Sequence, residues 1–255
     1  IMKPISIFLV TLLFIHISNA QRVTKILLLG EKGIVKDFKL AKSFIVMKKY
    51  PDGTYQRLNY KKGGPMESLQ TYGDSSLSFF EGNYYKYSSG GYLSCKGYYS
   101  QNKKDSTWFY YNDSLKIIRM EIYKEGELIK TIEPDTARRD FAVMNGFQRI
   151  DAEPSFPGGN NAWSKYLNKH FYDKVLETFD KDVVARSVKG GKVIIHFLVN
   201  ETGDVKNIAV WKSVEYILDE EAIRLIRDSP GWNPATSNGL KVKAYRLQSI
   251  DFAQD

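Results

Sequence analysis

The chain is poor in residues that carry reactive chemistry. It has one cysteine, Cys95, so an internal disulfide is excluded and no cysteine follows the N-terminal apolar stretch to take a lipid. No histidine lies near Cys95 in sequence, so a buried, inert thiol is expected rather than a nucleophile. Of the three histidines, His16 lies in the first apolar stretch. The other two, His170 and His196, belong to no metal-spaced cluster. His196 sits in the middle of a strand-like run and reads as a packed or edge histidine. There is no Gly-x-Ser-x-Gly elbow and no glycine-rich phosphate loop ending in Lys-Ser or Lys-Thr. Gly190-Gly191-Lys192 is too short for such a loop and reads as the entry to a strand. Carboxylates are plentiful, but no pair stands out. These absences argue against an enzyme and imply no cofactor and no metal. No apolar run is long enough for a comfortable span either: Ile5 to Ile17 is thirteen residues, against the ~20 that cross a bilayer.

The formal net charge is +8, and the basic residues are spread along the chain rather than gathered in a stripe. That pattern fits solubility or attraction to an acidic partner, and not nucleic acid. Residues 1–20 have the pattern of a secretory signal: Lys3 at the start, the apolar run, then Ser18-Asn19-Ala20 as a small-x-small cleavage site. Cleavage between Ala20 and Gln21 is expected, with an uncleaved membrane anchor as the alternative.

The body of the chain divides by pattern. Ile26-Leu27-Leu28-Leu29 and Phe44-Ile45-Val46-Met47 are apolar runs separated by Gly30-Glu31-Lys32-Gly33, and both predict strands. Lys48 to Lys130 is a field of short aromatic strands punctuated by glycine, as in Glu81-Gly82-Asn83-Tyr84 and Lys124-Glu125-Gly126-Glu127. Each glycine permits a tight turn and each aromatic opens a strand, which predicts an antiparallel meander or repeat array. The aromatic stripe reads as the core of these hairpins, with ligand-stacking faces as the alternative. Residues 132–153 have no clear period and read as a linker, with a short strand at Phe147 to Ile150. Some twenty linker residues reach only about 70 Å when extended. Then Pro157-Gly158-Gly159 predicts a turn, Asn160 a helix cap, and Ala162, Trp163, Tyr166, Leu167 and His170 one helical face. Phe171, Val175, Leu176, Phe179 and Val183 continue at helical spacing.

From Lys192 onward the pattern is strand, turn, strand, helix, turn, strand. Lys192 to Val199 is rich in β-branched and aromatic residues, with two nearly equally apolar faces, so it reads as a central, well-covered strand. Gly203 supplies the hairpin turn, and Val205 to Val214 is the return strand. Asp219 is expected to cap a helix in which Ala222, Ile223, Leu225 and Ile226 face inward. Pro230 stops that helix. Trp232, before Pro234, is expected to pack on the core, and Asn238-Gly239 to turn the chain into a last strand, Lys241 to Phe252.

This last stretch resembles the TonB C-terminal domain of Gram-negative bacteria. The likeness rests on Gly191-Lys192-Val193, on Asn200-Glu201-Thr202-Gly203-Asp204-Val205, on Leu218-Asp219-Glu220-Glu221-Ala222, on Trp232-Asn233-Pro234-Ala235 and on Asn238-Gly239. Upstream, Phe156-Pro157-Gly158-Gly159 with Ala162 and Leu167 looks like the entry helix of the version common in Bacteroidetes. The Tyr-Pro pair that usually follows that helix is replaced by Phe171-Tyr172-Asp173. Gly91 to Leu128 resembles MORN-like repeats, through Gly97-Tyr98-Tyr99, Asn102 to Tyr111 and Tyr123 to Leu128, with Ser106 where the repeat usually has glycine.

These resemblances imply an α+β protein: a β-rich antiparallel MORN-like domain over 21–131, a linker over 132–153, and over 154–255 a TonB-like domain with helices packed on a three-stranded antiparallel sheet. They imply a periplasmic protein that captures an extended peptide of an outer-membrane receptor, or binds another envelope protein, in energy-coupled transmembrane transport. The peptide would add as a strand to the last strand, at an edge formed by Lys241, Lys243, Tyr245, Leu247 and Ser249. The two lysines would guard that edge or favour an acidic peptide. Gly203, Asp219, Trp232, Pro234 and Gly239 would be structural. The alternative is a soluble scaffold whose MORN-like part binds a partner without transducing energy.

Overall fold

The computed structural model describes residues 22–133, 150–171 and 190–252. The leader with Ala20 and Gln21, residues 134–149 of the 132–153 stretch and the helix-like stretch from Tyr172 lie outside the described residues. The described fold is α+β and rich in strand.

Ten strands form one antiparallel sheet: β1 (Arg22–Gly30), β2 (Gly33–Val35), β3 (Ser43–Lys49), β4 (Tyr55–Lys61), β5 (Met66–Tyr72), β6 (Phe80–Tyr87), β7 (Leu93–Ser100), β8 (Lys103–Tyr111), β9 (Ile117–Lys124) and β10 (Glu127–Ile132). Their order is β10-β9-β8-β7-β6-β5-β4-β3-β1-β2. It is a meander from β3 to β10, as glycine-punctuated aromatic runs predict. The two early apolar runs pair directly, Leu27 opposite Ile45 and Leu28 opposite Phe44, and β2 folds back along the other side of β1. Ser106 takes the left-handed conformation that glycine occupies more easily (φ 58°), and its hydroxyl donates to Asp105 Oδ2 at 2.8 Å. Trp108 is buried, its indole 5.1 Å from the Tyr99 ring and 5.5 Å from Tyr84, so here the aromatic stripe packs on itself. Cys95 is buried, and burial pushes its thiol up to about 11.

The second layer contains α1 (Gly159–His170), β11 (Gly191–Val199), β12 (Val205–Lys212), α2 (Tyr216–Arg227), β13 (Ala235–Ser237), β14 (Leu240–Val242) and β15 (Ala244–Phe252). A three-stranded antiparallel sheet has the order β12-β11-β15, and β13 pairs with β14 in a separate ribbon. Along β11 the inward residues Val193, Ile195, Phe197 and Val199 are fully buried, in one cluster with Leu225 and Ile226 of α2 and Trp163 of α1.

Three details differ from the sequence reading. The last strand is broken: Asn238 and Gly239 both have positive φ, turning β13 tightly into β14, and β15 begins only at Ala244. Lys241 therefore pairs with Thr236 in the ribbon. Second, α2 starts at Tyr216, with Glu215 as its N-cap residue, so Asp219 stands inside the first turn. Third, α1 is capped by Gly158 in the left-handed conformation, without a side-chain bond, rather than by Asn160.

The two layers share one buried core, which includes Phe44, Tyr60 and Tyr87 of the large sheet together with Trp211 and Tyr216. Asp219 is the polar centre of the junction, with no exposed surface. Its Oδ2 accepts from the Ser213 hydroxyl at 2.5 Å and the Tyr60 hydroxyl at 3.0 Å, and its Oδ1 from the Val214 N–H at 3.0 Å. Burial pushes this carboxyl up to about 7, against the pull of those three donors. Ser213 in turn accepts from the Met66 N–H at 2.7 Å. Beside it Lys48 Nζ meets Glu220 Oε1 at 2.5 Å, both side chains largely buried. The β6–β7 turn closes on the end of β12, where the Ser213 N–H donates to the Gly91 carbonyl at 2.8 Å and Tyr92 bridges Lys212. Gly91 has φ 81°, and a Cβ there would lie 2.1 Å from the Ser213 carbonyl oxygen, so only glycine fits.

Candidate functional site

The small sheet has two edges. The β12 edge is occupied at its end by the Gly91–Ser213 contact. Near it the Tyr87 hydroxyl donates to the Val210 carbonyl at 2.9 Å. The β15 edge is different. Among the described residues β15 pairs with β11 alone, from Gly191 opposite Phe252 to Val199 opposite Ala244. No described backbone group bonds to its other side. Such an edge offers a row of N–H and C=O groups to an extended chain.

The side chains of β15 alternate cleanly. Ala244, Ile250 and Phe252 are buried, while Tyr245, Leu247 and Ser249 are exposed, Tyr245 by 50% and Leu247 by 46%. Arg246 anchors the inner side: its Nη1 donates to the Pro154 carbonyl at 2.5 Å, and its guanidinium lies 5.3 Å from the Trp232 ring. Of the five residues predicted for this edge, Tyr245, Leu247 and Ser249 lie together on one face of β15. Lys241 and Lys243 do not join them. Both are exposed, Lys241 in β14 and Lys243 between β14 and β15, so they flank the start of the edge.

The residues predicted as structural lie behind the sheet. Trp232 is 3% exposed, its ring 4.9 Å from Phe197 and 5.6 Å from Phe156, and its Nε1 donates to Ser229 Oγ at 2.9 Å. Gly203 accepts from the Trp232 N–H at 2.9 Å. A Cβ on Gly203 would sit 2.3 Å from the Trp232 carbonyl oxygen, which ties the β11–β12 turn to the segment after α2. Pro234 leads into β13, and Gly239 closes the ribbon turn.

A row of rings crosses the outer face of the small sheet. His196 of β11 is stacked between Trp211 of β12 at 4.1 Å and Tyr245 of β15 at 4.5 Å. Burial, and then the nearby charge of Lys96, lower the His196 pKa to about 3, so its imidazole is neutral. A cleft of about 410 Å³ opens beside the row, lined by Glu153, Arg246 and Leu247 as well as the three rings. The equal apolarity of the two faces of β11 was the one sequence signal for this covered outer face. Nothing local marked Trp211 as part of that face, or Arg246 as lining the cleft.

The described residues contain no group of three or more His, Cys, Asp or Glu side chains able to hold a metal, and no helix among them is long and apolar enough to cross a membrane. No curated protein and no solved structure matches the chain. Residues 182–253, a span that takes in β11, β12, α2 and β13 to β15, match the family model of the Gram-negative bacterial TonB protein C-terminal.

Proposed function

We propose that this is an envelope protein of the TonB type, working in the periplasm, which binds an extended peptide of an outer-membrane receptor by strand addition at β15 in energy-coupled transport. The observation that carries the reading is the contrast of edges within a segment matching the TonB C-terminal family: β12 is engaged at its end by the large sheet, and β15 has no described partner on its outer side. Backbone bonds to β15 supply affinity, and Tyr245, Leu247 and Ser249 select alternate side chains of the peptide. Lys241 and Lys243, beside the start of the strand, favour an acidic peptide and make binding salt-sensitive. We read the meander from Gly91 to Leu128 as MORN-like, and residues 1–20 as a leader removed after Ala20. Intact mass of protein recovered from cells then lacks residues 1–20.

The test is a pair of proline substitutions, Leu247→Pro and Gln248→Pro. Adjacent residues of a strand point their amides to opposite sides, so one proline removes a donor facing β11 and the other a donor facing outward. One variant keeps its circular dichroism and loses binding of a receptor-derived peptide, and its neighbour loses the fold. Retained peptide binding in a folded variant of each kind overturns the reading.

A further inference from the structure

Between the large sheet and the ring row lies a second cleft, of about 370 Å³, which opens between β6–β8 and the outer face of β11, β12 and β15. Lys96 of β7 lines it. Its ammonium lies 4.8 Å from the Phe109 ring and 5.4 Å from the Trp211 ring. Among the described residues no carboxylate pairs with it and no acceptor bonds it. Burial alone lowers its pKa, to about 8, with no acidic group acting in the other direction. The remaining titratable groups lining the cleft are Tyr85, Tyr98, Tyr245 and the neutral His196. A cation held against aromatic faces without an anion is an incomplete arrangement: the rings attract it, but its lost hydration is not repaired.

A second feature points into the same space. In β12 the two residues Asn207 and Ile208 oppose the single residue Phe197 of β11, because the register steps from His196–Ala209 to Leu198–Lys206. This is a β-bulge, and Asn207 in it holds φ 53°, a conformation that costs energy outside glycine. Bulges re-aim side chains, and Asn207 lines the cleft. A lone ammonium, an amide and aromatic walls suit a singly charged planar anion. They lack the arginine fork or helix N-terminus usual for phosphate.

We propose that this cleft binds a carboxylate, with the Lys96 ammonium as counter-ion and the Asn207 amide as a further donor, the carboxylate being that of a small acid or of an Asp or Glu side chain on a bound chain. The inference does not rest on strand addition at β15. The probes are propionate and capped Gly-Glu-Gly, each against its neutral isostere, propionamide and capped Gly-Gln-Gly, titrated into the whole protein and followed by NMR. At least one acid binds in the millimolar range and its isostere about tenfold more weakly. Propionate binding identifies a site for free acids, and binding of the Glu peptide alone identifies one for acidic side chains. Lys96→Met abolishes the discrimination while melting no lower than the parent, because it removes an unpaired charge. Lys96→Arg keeps the discrimination. Equal binding of acid and isostere, no binding of either acid, or a Lys96→Met protein that melts lower and still discriminates overturns the proposal. The folded proline variant that loses receptor peptide keeps carboxylate binding, so the two readings fail separately.

Discussion

The two edges of the three-stranded sheet have the same backbone chemistry and opposite surroundings. At the β12 edge the Val210 carbonyl, the Ser213 N–H and the Ser213 hydroxyl all meet partners in the large sheet, and a glycine at position 91 lets two backbones touch. At the β15 edge large apolar side chains stand in solvent beside a strand with one described neighbour. The same kind of strand can thus be made structural or available by what the rest of the chain places next to it. Substitutions behind the sheet and at its sealed edge therefore test stability, whereas those at the open edge test the proposed binding.

The largest effect belongs to the core behind both edges. Trp232→Ala removes a ring packed against Phe156, Trp163 and Phe197 and lowers stability by about 3–5 kcal/mol in denaturant melts. A loss under about 1 kcal/mol places that ring outside the energetics of the core. Next comes the sealed junction. Burial raises the Asp219 carboxyl from its ordinary 3.8 to about 7, so the folded protein holds a proton that the unfolded chain has released. The resulting stability is fully present below the unfolded value and is lost as pH rises through about 7. Glu215, also pushed up to about 7 by burial, acts in the same direction. Melts at pH 5 and pH 8 show the protein less stable at pH 8, by about 2 kcal/mol from Asp219. Asp219→Asn removes the Asp219 share of that slope and leaves that of Glu215. A stability that rises with pH in this window contradicts the assignment. The smallest effect on stability is at the open edge. Tyr245→Ala costs under about 1 kcal/mol because half of the ring is already in water, while receptor-peptide affinity falls several-fold. Unchanged affinity moves the docking face away from Tyr245.

What was legible in the sequence was local. The β11–β12 hairpin follows from Asn200 to Asp204, where the Asn200 side chain accepts from the Thr202 and Asp204 N–H groups and Gly203 takes positive φ. The meander follows from its glycines, and α2 from the spacing of Ala222, Leu225 and Ile226. What was not legible depends on partners far along the chain. An aspartate in a first helical turn reads as a cap; that Tyr60, 159 positions away, donates to Asp219 leaves no trace near either residue. The break at Lys243 leaves no local mark for a related reason: Lys241 to Phe252 alternates as one strand, and only pairing with β13 diverts its first part. Likewise Gly91 reads in sequence as one more turn glycine, and its role comes from Ser213.

The sealed edge also sets a mechanical path. β15 is bonded to β11 along nine register pairs, so a pull directed along a chain lying on β15 loads those bonds in shear, together, instead of peeling them one by one. The load passes from β11 to β12 and then, through the Gly91–Ser213 contact and the Tyr60–Asp219 bond, into the ten-stranded sheet. The large sheet thereby serves as the anchorage against which the small one can be pulled.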